Sequence, residues 1–88
     1  MRHELKIWPE YYHEVIARRK RFELRKNDRD FHVGDTIYLR EYSPITEEYT
    51  GRVCECVITY ILSSAQGLVT GYAILSVDVL SMGFREDD

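Results

Sequence analysis

The run Lys20-Arg21-Phe22-Glu23-Leu24-Arg25 alternates charge with bulk, so on an extended strand Arg21, Glu23 and Arg25 share one side. A carboxylate held between cations stays ionised and fixes them in place. Guanidinium forks fixed in this way fit a phosphate or carboxylate ligand. Arg18 and Arg29 flank the run, and seven of the chain's twelve Lys and Arg residues fall between positions 18 and 29, although the whole chain carries a formal charge of -3. A basic patch on an acidic molecule repels a polyanion from the wrong faces and orients it on the right one. The same pattern also describes a solvated strand face of mutually neutralising charges, so spacing alone leaves both readings open.

Aromatic residues near such a patch can stack on bases. Trp8 and Tyr11 are the candidates for an exposed platform, whereas helical spacing assigns Tyr12 to the core and a flanking turn does the same for Phe31. Asn27 and Asp28 could read polar base edges, but turn chemistry explains them equally well. Cys54-Glu55-Cys56, with His3, His13 or His32, lacks the paired spacings of a zinc site, so no metal and no cofactor are expected. Buried strand cysteines are poor nucleophiles, and Ser63, Ser64 and Ser76 have no elbow motif around them.

The elements that must position these residues are short. His3 to Ile7 alternates as a first strand with Leu5 and Ile7 inward. Pro9 suits the first turn of a helix, and Tyr12, Val15 and Ile16 recur at helical spacing through Arg19. Glu10 and Glu14 sit early in that helix and Arg18, Arg19 and Lys20 late, each sign at the dipole end that favours it. The period then changes to two, giving a second strand with Phe22 and Leu24 on a greasy face and the charges on the other. Thr36 to Tyr42 and Arg52 to Leu62 form a long hairpin around the turn-rich Thr46 to Gly51. Tyr72 to Val77 is the last strand, and residues 78–88, ending Glu86-Asp87-Asp88, form a frayed tail. Five short strands and one N-terminal helix between the first two predict an α+β, mostly β fold, a small β-barrel rather than a parallel sheet.

An 88-residue chain forms one domain, 1–88, and buries only about two-thirds of its unfolded surface. Hydrophobic residues at 44% and seven Tyr exclude a disordered tail. The longest apolar run, Val57 to Leu62, falls far short of the roughly 20 residues of a membrane span. The start, Met1-Arg2-His3-Glu4-Leu5-Lys6, has charges where a signal peptide needs an apolar core. A cytoplasmic protein with reduced Cys54 and Cys56 and no membrane partner is expected, either a monomer or a weak homodimer.

The octet Arg18-Arg19-Lys20-Arg21-Phe22-Glu23-Leu24-Arg25 resembles the G-x-K-x-x-E-x-R signature of ASCH domains, a branch of the PUA-like superfamily, with Lys20, Glu23 and Arg25 on its Lys, Glu and Arg. The run from Lys26 to Asp35, Glu48 to Arg52 and Gly71 to Leu75 resemble a small bacterial and phage subfamily of unknown function. Arg18 stands where the signature has glycine. The resemblance implies a PUA-like barrel with a cleft beside the helix that binds RNA or a nucleotide. Lys20, Glu23 and Arg25 would line that cleft, Arg18, Arg21 and Arg29 its rim, and Trp8 and Tyr11 its platform. It also implies one alternative, and the chain's overall acidic charge suggests a second. The first is a small amidohydrolase on a modified nucleoside such as acetylated cytidine, using Lys20 and Glu23 with a later acid, for which Glu55 is the one available between Gly51 and Val77. The second is a phage or mobile-element protein that binds a host protein. The residues themselves supply no catalytic set, so a binding module is expected rather than an enzyme.

Overall fold

A computed structural model describes residues 1–86 and consists of β1 (Arg2–Ile7), α1 (Pro9–Ile16), β2 (Phe22–Lys26), β3 (Thr36–Ser43), β4 (Glu48–Leu62) and β5 (Tyr72–Phe84). The strands form one sheet in the order β1-β3-β4-β5-β2. β1 runs parallel to β3 and the other neighbours are antiparallel. The sheet curls into a half-barrel, mostly β, with its single helix between the first two strands. β1 and β2, joined through α1, end as the two edges. Side chains rather than a backbone ladder bridge the seam between them: an Nη of Arg25 donates to the Lys6 carbonyl at 2.7 Å, and an Nη of Arg29 to that of Glu4 at 3.0 Å.

Alternation along each strand decides what the curl encloses. Leu5 and Ile7 of β1, Ile37 and Leu39 of β3, Cys54, Cys56 and Ile58 of β4 and Leu75 of β5 meet Tyr12 and Val15 of α1 in one core. Leu39 is fully buried, so Leu39→Ala should cost about 2–5 kcal/mol. Tyr12 spans the core and donates its hydroxyl to the Val53 carbonyl at 3.0 Å. Burial pushes that phenol up to about 12, which keeps it a donor at any working pH. No helix is long and apolar enough to cross a membrane among the described residues.

The structure differs from the sequence reading in four places. The helix stops at Ile16 rather than Arg19, because Ala17 caps it and Arg18 turns left-handed with φ 61°. The Arg18 N–H bonds the Val15 carbonyl and the Arg19 N–H the Glu14 carbonyl, the paired bonds of a Schellman stop. β4 begins at Glu48, so most of the expected Thr46 to Gly51 turn is already strand. The frayed tail from Asp78 is likewise not what forms, since β5 continues to Phe84. Its partner β4 is long enough to pair Arg52 with Phe84, across a bulge that removes Leu80 from the register and hides the alternation. Gly51, at φ 98°, fits under the Phe84 ring, where an added Cβ would come within 2.5 Å. Residues 87 and 88 of that tail lie outside the described residues. Finally, β2 faces the other way: Glu23 is buried at 3% exposure, whereas Phe22 and Leu24 are exposed.

Candidate functional site

The seam between β1 and β2 opens into a cleft of about 760 Å³ beside α1. The end of β1 supplies Lys6 and Ile7, the start of the helix Trp8, Tyr11 and Glu14, and the helix exit and β2 supply Arg19, Lys20 and Phe22 to Arg25. Trp8 precedes Pro9 in extended conformation and receives the first helical N–H groups, from Tyr11 and Tyr12, on its carbonyl. Three positions apart at a helix start, Trp8 and Tyr11 project together. Their rings lie nearly parallel, 13° apart with centroids at 6.4 Å, and both remain about half exposed.

Glu23 anchors the opposite wall. Its side chain bonds Lys20 through one carboxylate oxygen and Arg25 through the other, at 2.7 Å and 3.1 Å from two nitrogens of the guanidinium. One further donor of each is tied to backbone, Lys20 to the Phe22 carbonyl and Arg25 to that of Lys6. Both cations are therefore held rigidly. Lys20 also lies 5.5 Å from the Tyr11 ring and 4.8 Å from that of Phe22, so the charged and aromatic walls meet at its ammonium group. Arg19 forms a two-pronged pair with Glu14 at 2.8 Å and 3.0 Å, which lowers the Glu14 carboxyl below its usual range. The lining carries four cations and two carboxylates, a small net positive charge on a largely apolar surface.

Of the residues singled out from sequence, Lys20, Glu23, Arg25, Trp8 and Tyr11 come together in this cleft. Arg18, Arg21 and Arg29 do not line it: Arg18 and Arg21 border a second cavity on the far side of Lys20, and Arg29 is spent on the Glu4 carbonyl. The expected rim is displaced because the left-handed turn at Arg18 sends it and Arg21 away from the seam. Tyr12 and Phe31 are core residues. Glu55 pairs with Arg2 at 3.0 Å and does not line the cleft. Cys54 and Cys56 are free and buried, and their mutual hydrogen bond, with burial, pushes the Cys54 thiol up. His3 is committed to Asp35 at 2.8 Å. Lys6, Arg19, Phe22 and Leu24 escape sequence reasoning. The one signal for Lys6 was its outward position two residues before Trp8; Phe22 and Leu24 depended on which face of β2 turned inward, and Arg19 on where the helix stops.

The model of a protein family described as a domain of unknown function, DUF3850, matches residues 2–77, a stretch that contains every residue lining the cleft. The chain belongs to this family. It is also similar to an uncharacterized 12.9 kDa protein in the GpA 3′ region of Escherichia phage P2, with 40% identity over 57 residues, 65% of this chain and 50% of the relative. The chain thus spans about half the length of that relative.

Proposed function

We infer that the cleft binds RNA or a nucleotide, with a base against Trp8 and Tyr11 and a phosphate or polar edge towards Lys20 and Arg25, and that the domain is PUA-like, of the ASCH type. The observation that carries this reading is the exposed parallel Trp8–Tyr11 pair facing two cations that Glu23 holds rigid. Solvent-facing aromatic rings supply sequence-tolerant stacking of about 1–3 kcal/mol per base. The fixed cations add orientation, because their remaining freedom is already removed before the ligand arrives. Binding is favoured over hydrolysis because Glu55, the later acid a hydrolase of this type would need, is occupied by Arg2 outside the cleft.

The ion pairs bound the electrostatics. With Lys20 and Arg25 shared by Glu23 and Arg19 by Glu14, the cleft can engage about one or two phosphates rather than a long backbone. For a single strand the slope of log affinity against log salt should then lie between about -0.7 and -1.4. Labelled single-stranded and hairpin RNA titrated at two salt concentrations tests this, using wild type and Trp8→Ala/Tyr11→Ala, both exposed positions. The reading expects single strands to bind more tightly than hairpins and the double variant to weaken binding at least tenfold. Equal affinities for wild type and variant would remove it.

A further inference from the structure

Beyond the cleft, and resting on its reading as a base-stacking site, we propose that the adjoining cavity bordered by Arg18 and Arg21 is a phosphate subsite peculiar to the arginine at position 18. It takes the phosphate of the nucleotide whose base lies in the cleft. The cavity measures about 270 Å³ and is lined by Val15, Arg18, Lys20, Arg21, Val77, Asp78 and Val79. Lys20 is common to both cavities and forms the divide between them. A ligand seated in the cleft therefore needs to cross only one side chain to reach the second space.

Three observations converge on an anion. First, the cations of the basic run differ in their partners. Arg19, Lys20 and Arg25 are bonded to carboxylates, and Arg29 to a carbonyl and, at 4.0 Å, to Asp28, whereas among the described residues Arg18, Arg21 and Lys26 form no ion pair, and of these three Arg18 and Arg21 line the cavity. Second, Arg21 is preset: its Nε donates to the Arg18 carbonyl at 3.1 Å, which orients the fork and leaves both terminal nitrogens without a partner among the described residues. Third, Arg18 occupies the left-handed position of the Schellman stop at φ 61°, where glycine is the unstrained choice. An arginine at such a position gives the fold nothing that glycine would not, and of the three left-handed non-glycine residues, Arg18, Asp30 and Glu47, Arg18 is the one that lines a cavity beside the cleft. Asp78 is the one acid in the lining, set against Arg18, Lys20 and Arg21. The valines form an apolar floor that strengthens any charge pairing above them.

The chain's single tryptophan, Trp8, reports on the cleft. Its fluorescence would be followed during titration with cytidine, cytidine 5′- and 3′-monophosphates and a cytidine trinucleotide, on wild type, Arg18→Gly and Arg21→Ala. Arg18→Gly relieves backbone strain, so loss of folding does not confuse the result. The proposal expects one monophosphate to bind about tenfold or more tightly than the nucleoside, the scale of a charge-assisted hydrogen bond. Both substitutions should erase that advantage while leaving nucleoside affinity unchanged. Equal binding of nucleoside and both monophosphates by wild type, or an advantage that survives both substitutions, would overturn it. A trinucleotide tighter than the monophosphate identifies the source as an RNA backbone, and equal affinities identify a free nucleotide. If no cytidine compound perturbs Trp8, the base reading of the cleft fails, and calorimetry with inorganic phosphate judges the subsite alone. Binding lost in Arg18→Gly sustains the subsite, and no binding by wild type ends it.

Discussion

Two buried carboxylates, Glu23 on β2 and Glu41 on β3, invite comparison because each points into the curled sheet and each is held by cations. Glu41 is fully buried. Thr50 and Arg52 each donate to one of its oxygens at 2.6 Å, and His13 stands 3.6 Å from the other. Glu23 is held from both sides by Lys20 and Arg25. The surroundings separate them. Around Glu23 the cations line an open cleft that stacked aromatic rings complete, whereas Glu41 lines neither this cleft nor the cavity beside it. α1 divides the two sites, with Tyr11 and Glu14 on the flank that lines the cleft and His13 on the flank that faces Glu41. A buried ion pair is therefore not by itself a site. What distinguishes Glu23 is that its partners line a cleft beside stacked aromatic rings, since exposure alone points the other way: His13 and Arg52 are about half exposed, whereas Lys20 and Arg25 are mostly covered.

The comparison can be broken most forcefully at Glu23. Removing both cations in Lys20→Ala/Arg25→Ala leaves an uncompensated buried carboxylate and should cost about 3–5 kcal/mol, read as a fall in the urea midpoint. This double variant would lose binding partly through instability. The cleaner partner is Lys20→Met/Glu23→Leu/Arg25→Met, because buried ionic networks replaced by apolar residues of similar volume are often as stable as the original. It should melt within about 1 kcal/mol of wild type yet bind no ligand. If the triple variant is instead as unstable as the double, the network exists for the fold and the contrast with Glu41 disappears. At the other carboxylate, Arg52→Ala should cost about 1–3 kcal/mol, since Thr50 remains as a donor, and should leave ligand affinity in the cleft unaltered.

Much of this was legible from residue order. The alternation at positions 20 to 25 located the charged strand, Trp8 and Tyr11 are exposed as expected, and the placement of Glu41 with Ile37 and Leu39 on one side of β3 matches its burial. The direction of β2 was not legible. An apolar face normally turns inward, but β2 is an edge strand over an open seam, and there Glu23 is neutralised by neighbours on both sides while Phe22 and Leu24 line the cleft mouth. Which residues share a cleft depends on β1 lying across the seam from β2, a relation set by pairing through three other strands that no local pattern encodes. The extension of β5 was hidden for a local reason: the bulge at Leu80 breaks the period on which a strand is recognised.

A third acid sets the pH response away from both sites. Asp35 accepts hydrogen bonds from His3 Nε2, the amino group of Met1 and the His32 N–H, and the His3 bond foremost holds its carboxyl well below the usual range. A carboxyl depressed in the folded state stabilises above its unfolded pKa, near 3.9, and that stabilisation is lost as pH falls towards the folded value. The urea midpoint should therefore decline below about pH 4. Asp35→Asn should flatten that decline while lowering stability at pH 7. An unchanged acid limb would show that Asp35 does not set it.

The smallest effect tests why the cleft ends where it does. Arg18 holds a left-handed conformation that disfavours a side chain by roughly 1–2 kcal/mol, partly offset by the entropy a glycine loses on folding. Arg18→Gly should thus raise stability by about 0.5–1 kcal/mol, a gain of several degrees in Tm for a domain of this size. Arg18→Ala keeps the strained Cβ and removes only the guanidinium, so it should leave Tm unchanged. A gain in the glycine variant alone assigns the strain to the backbone, and the helix stop then needs no arginine to form. A gain in both would mean that the guanidinium itself is destabilising, through repulsion from Arg19, Lys20 and Arg21 beside it. In either case the residue that turns Arg21 away from the seam is retained against the preference of the local fold, unlike the cations of the Glu23 network, which the fold itself holds in place.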